Sequence, residues 1–568
     1  MAWHTENREF YGLGRDPARS CLKYEKLNKF HAVGETYLDR AVRPEASGRR
    51  IPGVSPLPRV KLPAALILSC LLGGGCATQP RGAAASASAA PAHPGADASA
   101  DIKEARTLVG NSQWAQADAL LQRALARRDF ERLEMAQQHA LLGLAAIAAL
   151  QNHDPRRGLA LSQRACGYPG ADARDWFTRL QSAEYASDPK DAVFALTTLA
   201  ERWPQVLARL PDYDAINYAM RVDLQAGASE AERYELLAAL HKIKFLDEPR
   251  GGGEWWREFA LLQLARGERL SAVQTLARIT DPYVIISIEA DRRFDAVRTE
   301  PGALLGVPQA ADQSIEAELR HAQLTPERLE PTNHLAEILI NCARQRQALS
   351  VTDAAIEYRE EHGSGAWSDY EAQYAWVLTL RADALYSLGR FEAAVAQMET
   401  ASRLHEQPGA NDSATINLAE MYNELGQTQQ AAATLQRVAP DALSAYGRMQ
   451  LESEKLRVAV AVDDERAAAR ALDYLRSHRD DAVSAYQRAL LSAHRDDDGA
   501  ALLITRLREP QLRSAALLAV QVYAQDAAPA AGLEERGHWR ALVARADVQQ
   551  AISAVGRVAE YPLLMADY

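Results

Sequence analysis

The chain has 568 residues, of which 64 are Lys or Arg and 75 are Asp or Glu, giving a net charge of −11. An acidic chain lacks the basic face that nucleic acid demands, so a nucleic-acid partner is not expected. Aromatics are only 7% of a chain that is 48% hydrophobic, and helix formers abound, which points to an all-α protein with enough apolar residues for one large core or an array of small ones.

Residues 1–59 show no coherent periodicity and are rich in Arg, Gly and Pro. They hold Lys23, Lys26 and Lys29, whereas the whole of 101–568 has only Lys103, Lys190, Lys242, Lys244 and Lys455. Next comes Lys61, an apolar run from Leu62 to Gly75, and Cys76. The run is shorter than the roughly 20 residues of a membrane-spanning helix and has the form of an export signal. Gly73-Gly-Gly-Cys76 resembles the lipobox of bacterial lipoproteins, with Gly73 standing where that family has Leu. Ile67-Leu-Ser-Cys70 is an alternative with a shorter apolar run that contains Pro63. The resemblance implies a lipid on Cys76 and a signal over 60–76. Bacterial translation can start at a valine codon, and Val60 precedes Lys61. Residues 1–59 are therefore expected not to belong to the translated protein. Ala77 follows the cysteine where an Asp would favour inner-membrane retention, so the expected location is the periplasmic face of the outer membrane.

Residues 77–100 are rich in Ala, Ser, Pro and Gly, with no large apolar side chain. Such a stretch is expected to be a disordered tether with a span of roughly 25–30 Å. From residue 77 onward 52 basic face 68 acidic residues, a net −16. Cys166 and Cys342, far apart in the chain, are expected to be free thiols rather than a bridge.

From residue 101 the pattern is amphipathic helix with regular breaks. The clearest unit is Trp376 to Ala401: Ala382 in a first helix, Gly389 at the turn, then Phe391, Ala394, Met398 and Ala401 in a second. Small residues at the crossings let two helices pack closely. A second unit has Leu418, Ala419, Tyr422, Gly426, Ala431 and Leu435. A third runs from Trp256 through Phe259, Ala260 and Gly267 to Ala272 and Leu276. Ala105, Leu108, Trp114, Ala117, Leu121 and Ala124 form a fourth without the turn glycine, and Ala336, Leu339, Ala348 and Ala355 a fifth. These units resemble the tetratricopeptide repeat. The resemblance implies a right-handed superhelical solenoid of antiparallel helix pairs, preceded by the disordered N-terminal region.

The expected divisions are a first solenoid over 101–300, a connector over 301–330 and a second solenoid over 331–568. Gly251-Gly-Gly253 and Pro301 to Gln313 read as loops. Asp281-Pro282 is a good helix start despite the β-branched residues that follow.

No sequence motif of catalysis is present: no His-Glu-x-x-His, Gly-x-Ser-x-Gly, phosphate loop or Cys-x-x-Cys. Ser364 has no evident base, and His478-Arg-Asp-Asp481 and His494-Arg-Asp-Asp-Asp498 read as polar inter-helix turns too far apart to share a metal ion. No cofactor, metal, small-molecule substrate or enzymatic activity is expected. Carried over residue by residue, the tetratricopeptide groove positions fall on Trp376, Thr379, Asp383, Tyr386 and Ser387, and on Ser413, Ile416, Glu420, Asn423 and Glu424. Aromatics beside carboxylates suit a basic, partly apolar peptide of a protein partner. The function that follows is an envelope scaffold binding protein partners. The alternatives are an activating subunit or enzyme acting on cell-wall polymer, and a cytoplasmic adaptor if the signal is not used. Whole-cell mass spectrometry should recover peptides from 77 onward and none from 1–59; one peptide from 1–59 refutes the late start.

Overall fold

The computed structural model describes residues 94–207, 228–245, 252–404 and 411–565. Its first arm comprises α1 (Pro94–Gly110), α2 (Trp114–Leu125), α3 (Met135–Gln151), α4 (Pro155–Cys166), α5 (Ala173–Tyr185), α6 (Pro189–Arg202), the short α7 (Pro204–Leu207), α8 (Glu230–Lys242), α9 (Gly252–Ala265) and α10 (Arg269–Leu276). These helices pack on near neighbours in sequence, as expected of a stacked array.

Six further pairs follow, in which the odd-numbered helix comes first. They are α11 (Pro282–Ala290) with α12 (Val307–Leu324), α13 (Glu330–Asn341) with α14 (Gln345–His362), and α15 (Tyr370–Ser387) with α16 (Phe391–Ser402). Then come α17 (Asp412–Glu424) with α18 (Thr428–Leu435), α19 (Ala445–Ala461) with α20 (Glu465–Ser477), and α21 (Val483–Ser492) with α22 (Asp496–Arg508). A single helix, α23 (Arg513–Ala519), ends the series. The fold is thus an all-α solenoid of antiparallel helix pairs. The small residues expected at the crossings are fully buried: Ala105, Ala260, Ala336, Ala382 and Ala419 on first helices, and Ala117, Ala272, Ala348, Ala394 and Ala431 on second ones.

One turn recurs throughout. A residue with positive φ ends a helix, and the next residue donates its N–H to a carbonyl five positions back. Ser112, His153, Ser187, Lys244, Gly267, Ala343, Gly389, Gly426, Asp463 and His494 hold this position. The bonds run from Gln113 to Leu108, Asp154 to Ala149 and Arg390 to Leu385, and likewise at the other seven. This is the Schellman cap, and glycine is its usual centre. Only three of the ten are glycine, although a left-handed conformation costs other residues roughly 1–2 kcal/mol. At Asp154, Asp188 and Asp464 the next side chain caps the following helix through its backbone N–H groups, which offsets part of that cost.

Three sequence expectations need correction. Helix α1 begins at Pro94, within the stretch read as tether, because its alanines favour helix and Ala98 and Ile102 pack into the core. Gly252 and Gly253 belong to the first turn of α9 rather than to a loop. A Cβ on Gly253 would lie 3.1 Å from Val284, so close approach of α11 accounts for that glycine. Within the connector, the loop expected over Pro301 to Gln313 ends at Gly306: α12 starts at Val307, and Pro308 sits in its first turn, where its missing N–H is harmless. Nor does it divide two bodies, since one core runs from Leu159 through Val307 and Ile315 to Ala431. The Asp281 start of α11 is as expected, with its side chain accepting from Tyr283 and Val284 N–H.

Residues 522–561 are not repeats. They form β1 (Val522–Tyr523), α24 (Ala530–Val543), α25 (Ala546–Val555) and β2 (Glu560–Tyr561), with β1 and β2 pairing in parallel. They return to the start of the second series. Helix α23 packs on α11, so the contacts from α11 to α23 form a closed circuit. Arg557 donates its backbone N–H to the Ala290 carbonyl at 3.0 Å and its Nη1 to the Glu289 carbonyl at 2.6 Å. The Tyr283 hydroxyl is 2.8 Å from both the Asn341 and the Leu564 carbonyl oxygens. Gly556 is wedged here: a Cβ would stand 2.7 Å from the Ala290 oxygen and 2.4 Å from Leu517. Gly556→Ala should lower stability in urea unfolding by about 1–3 kcal/mol through overpacking; an unchanged midpoint would show that the closure is loose.

Candidate functional site

The expected groove residues divide into three groups. Thr379 and Ile416 are core: Thr379 is 4% exposed with its hydroxyl 3.9 Å from the Met398 sulfur in α16, and Ile416 packs with Ala419, Leu435, Val438 and Leu451. They were misplaced because helical spacing gives an angle around the axis but not which neighbour lies there. Trp376, Asp383 and Ser413 are half-buried on the first helices α15 and α17.

Tyr386, Glu420, Asn423 and Glu424 converge with four residues that lie outside the recognisable units. The Tyr386 hydroxyl donates to Glu424. Asn423 Nδ2 donates to Glu454 of α19 at 2.7 Å. Glu420 pairs with Arg488 of α21 at 2.7 Å. Arg457 of α19 lies 3.4 Å from Glu454 and 3.4 Å from Glu535 of α24. Four consecutive first helices therefore each contribute to one polar cluster on the inner face, and α24 covers it. Helix α24 touches α17, α21 and α22, and in the segment leading into it Ala527 N–H donates to the Ser387 carbonyl at 3.2 Å.

The cluster holds Glu420, Glu424, Glu454 and Glu535 against two arginines. Burial, with Glu420 adding repulsion, pushes the Glu424 carboxyl up to about 7. Burial also raises Glu454, opposed by Arg457. Burial works against the Arg457 charge, but Glu454 and Glu535 outweigh it and hold that pKa above its ordinary value. Burial and the neighbouring Glu424 raise the Tyr386 hydroxyl.

Elsewhere the residues considered for chemistry lie apart. Ser364 is in an exposed short 3-10 turn. His478 and His494 flank the ends of α21 in inter-helix turns, and no group of His, Cys, Asp and Glu among the described residues could hold a metal ion. Cys166 and Cys342 are free thiols. Burial pushes both up to about 12, far from the thiolate that reactivity requires. Cys70 and Cys76 lie outside the described residues. No helix among those described is long and apolar enough to cross a membrane.

No protein-family model matches the sequence. No curated protein matches it either. Among solved structures, yeast Tom70 is similar at 12% identity, covering 80% of this chain and 96% of that chain with a TM-score of 0.29. A Rap protein complexed with competence and sporulation factor is similar at 12% identity, covering 72% of this chain and 99% of that chain with a TM-score of 0.31. The P58(IPK) TPR domain is similar at 12% identity, covering 73% and 100% respectively, with a TM-score of 0.18. The helix-pair architecture itself stands on the turns and contacts described above.

Glu424 titrates in a definite direction. Its folded pKa lies above the ordinary 4.5, so its contribution to stability is full below about 4.5 and is lost as pH rises through about 7. Glu424→Gln keeps an acceptor for Tyr386 and removes the charge. It should stabilise the chain by about 1–2 kcal/mol at pH 8 and change little at pH 5 in urea titrations at the two pH values; equal effects at both would place Glu424 in an ordinary solvated setting.

Proposed function

We propose that this protein is a lipid-anchored scaffold of a bacterial envelope, which holds protein partners on the inner face of its helix pairs. The observation that carries the binding part is the convergence of Tyr386, Glu420, Asn423, Glu424, Glu454, Arg457 and Arg488 from four consecutive first helices. A stack of helix pairs offers such a face to an extended segment, with register set by residues one repeat apart. The anchored part rests on the signal ending at Cys76 and on Ala77 after it. Lipidation there would place the acidic body in the periplasm, tethered to the inner leaflet of the outer membrane.

A second reading, an enzyme or activator acting on cell-wall polymer, draws on the two raised carboxyls, Glu424 and Glu454. Both already have internal partners, Tyr386 for the first and Asn423 and Arg457 for the second. The scaffold reading uses them as they stand.

Two measurements test the proposal. Metabolic labelling with a palmitate analogue should mark the wild-type chain and not Cys76→Ala; labelling that survives the substitution removes the anchor from Cys76. A photo-crosslinking residue at Ser413, on the inner face, should trap a defined envelope protein, and Tyr386→Ala should weaken the adduct. The same residue at Leu270, 80% exposed on the second helix α10, should trap none. Equal yields from both positions would rule out the inner face.

A further inference from the structure

We propose that α24, with the extended segment 524–529 leading into it, is a tethered lid over the polar cluster: closed in this structure, and open when a partner segment occupies the inner face. The inference rests on the scaffold reading for its partner and on the geometry of α24 for its movement.

Both ends of the lid are firmly held. On one side β1 pairs with β2, and Gln521 donates to the Arg557 carbonyl at 3.0 Å while accepting from Ala559 N–H at 2.8 Å. On the other side α25 packs Val548, Ala551 and Ile552 into a core with Leu503, Leu507 and Leu517. The middle is held weakly. Leu542 anchors the C-terminal turn of α24 in the same core, with Trp539 and Val543 against it, but before Trp539 only Gly532 is buried, and the N-cap, Pro529, makes no side-chain cap. Leu533 is 57% exposed. Gly532 and Gly537 lie inside the helix, each costing roughly 1 kcal/mol of helix stability relative to alanine. Segments with few buried contacts between stable flanks are those that open locally.

The lid is braced within itself. Arg536 reaches back to Asp526 at 2.5 Å and Arg540 to Gln525 at 2.7 Å, so helix and lead-in segment can move as one piece. Its polar contacts to the rest are few: Glu535 to Arg457 at 3.4 Å, Ala527 N–H to the Ser387 carbonyl at 3.2 Å, Trp539 Nε1 to the Ala519 carbonyl at 3.3 Å and, at its C-terminal end, Gln549 Nε2 to the Val543 carbonyl at 2.8 Å.

Charge favours two states. When closed, Glu535 adds a fourth carboxylate beside Glu420, Glu424 and Glu454. When the lid leaves, Arg457 keeps Glu454 and Arg488 keeps Glu420. Opening thus strands no buried charge, the usual obstacle to exposing an ion pair, and it removes one like-charge neighbour from Glu424.

Hydrogen exchange on the full chain tests this. Amides of α24 should exchange at least ~10-fold faster than those of α25 and α17. Glu535→Arg, which sets like charge against Arg457, should speed the lid further. Gly537→Ala, where an added Cβ meets nothing within 4 Å, should slow it, with α17 and α25 unmoved in both variants. Crosslinking from Ser413 should rise in Glu535→Arg and fall in Gly537→Ala. An α24 that exchanges in step with α25 in all three chains is a fixed part of the closed circuit and overturns the lid. A lid that answers to both variants while Ser413 crosslinking stays constant overturns its control of the face. Absence of any adduct, with exchange as expected, removes the partner surface and leaves the movable lid standing.

Discussion

The backbone of Gly556 lies against the carbonyl of Ala290, and the second half of the molecule depends on that approach. An open stack of helix pairs would leave α11 and α23 as exposed ends. Here the two ends meet, so each covers apolar surface that capping helices cover in an open array. The approach also sets where everything between β1 and β2 can lie. With both strands fixed beside α11, the segment joining them has to cross the inner face, and α24 comes to rest on α17 and α21. The polar cluster is therefore a product of closure as much as of the repeats.

That cluster shows how burial and charge trade off on an inner face. Each carboxylate except Glu424 has a cation within 3.4 Å. Glu424 accepts instead from the Tyr386 hydroxyl, and burial pushes its pKa up to about 7. A neutral donor satisfies hydrogen bonding but does little to offset desolvation.

Much of the architecture was legible in the sequence. Alanines at the crossings and the turn glycines at 267, 389 and 426 found the units whose chemistry follows the repeat. Seven other turns escaped notice because the left-handed position tolerates Ser, His, Lys, Ala or Asp when the neighbouring bonds are good. The signal for several of them was present: a short polar residue followed by an aspartate, as in His153-Asp154-Pro155 and Ser187-Asp188-Pro189, marks the end of one helix and the cap of the next. In the site, Tyr386, Glu420, Asn423 and Glu424 were legible because their helices align with the family pattern. Glu454, Arg457 and Arg488 were not, since 442–568 departs from it. Closure left no pattern at all: β1 and β2 are two residues each, too short for alternation to be seen.

The Tyr283 hydroxyl bridges the Asn341 and Leu564 carbonyls, and so ties together points separated by more than two hundred residues. The stacked pairs elsewhere are rich in local contacts, which form quickly. Contacts of such high order require closing a very long loop before they yield any stabilisation, and form slowly for that reason. The helix pairs can therefore assemble progressively, with the circuit shut only once both of its ends are already folded.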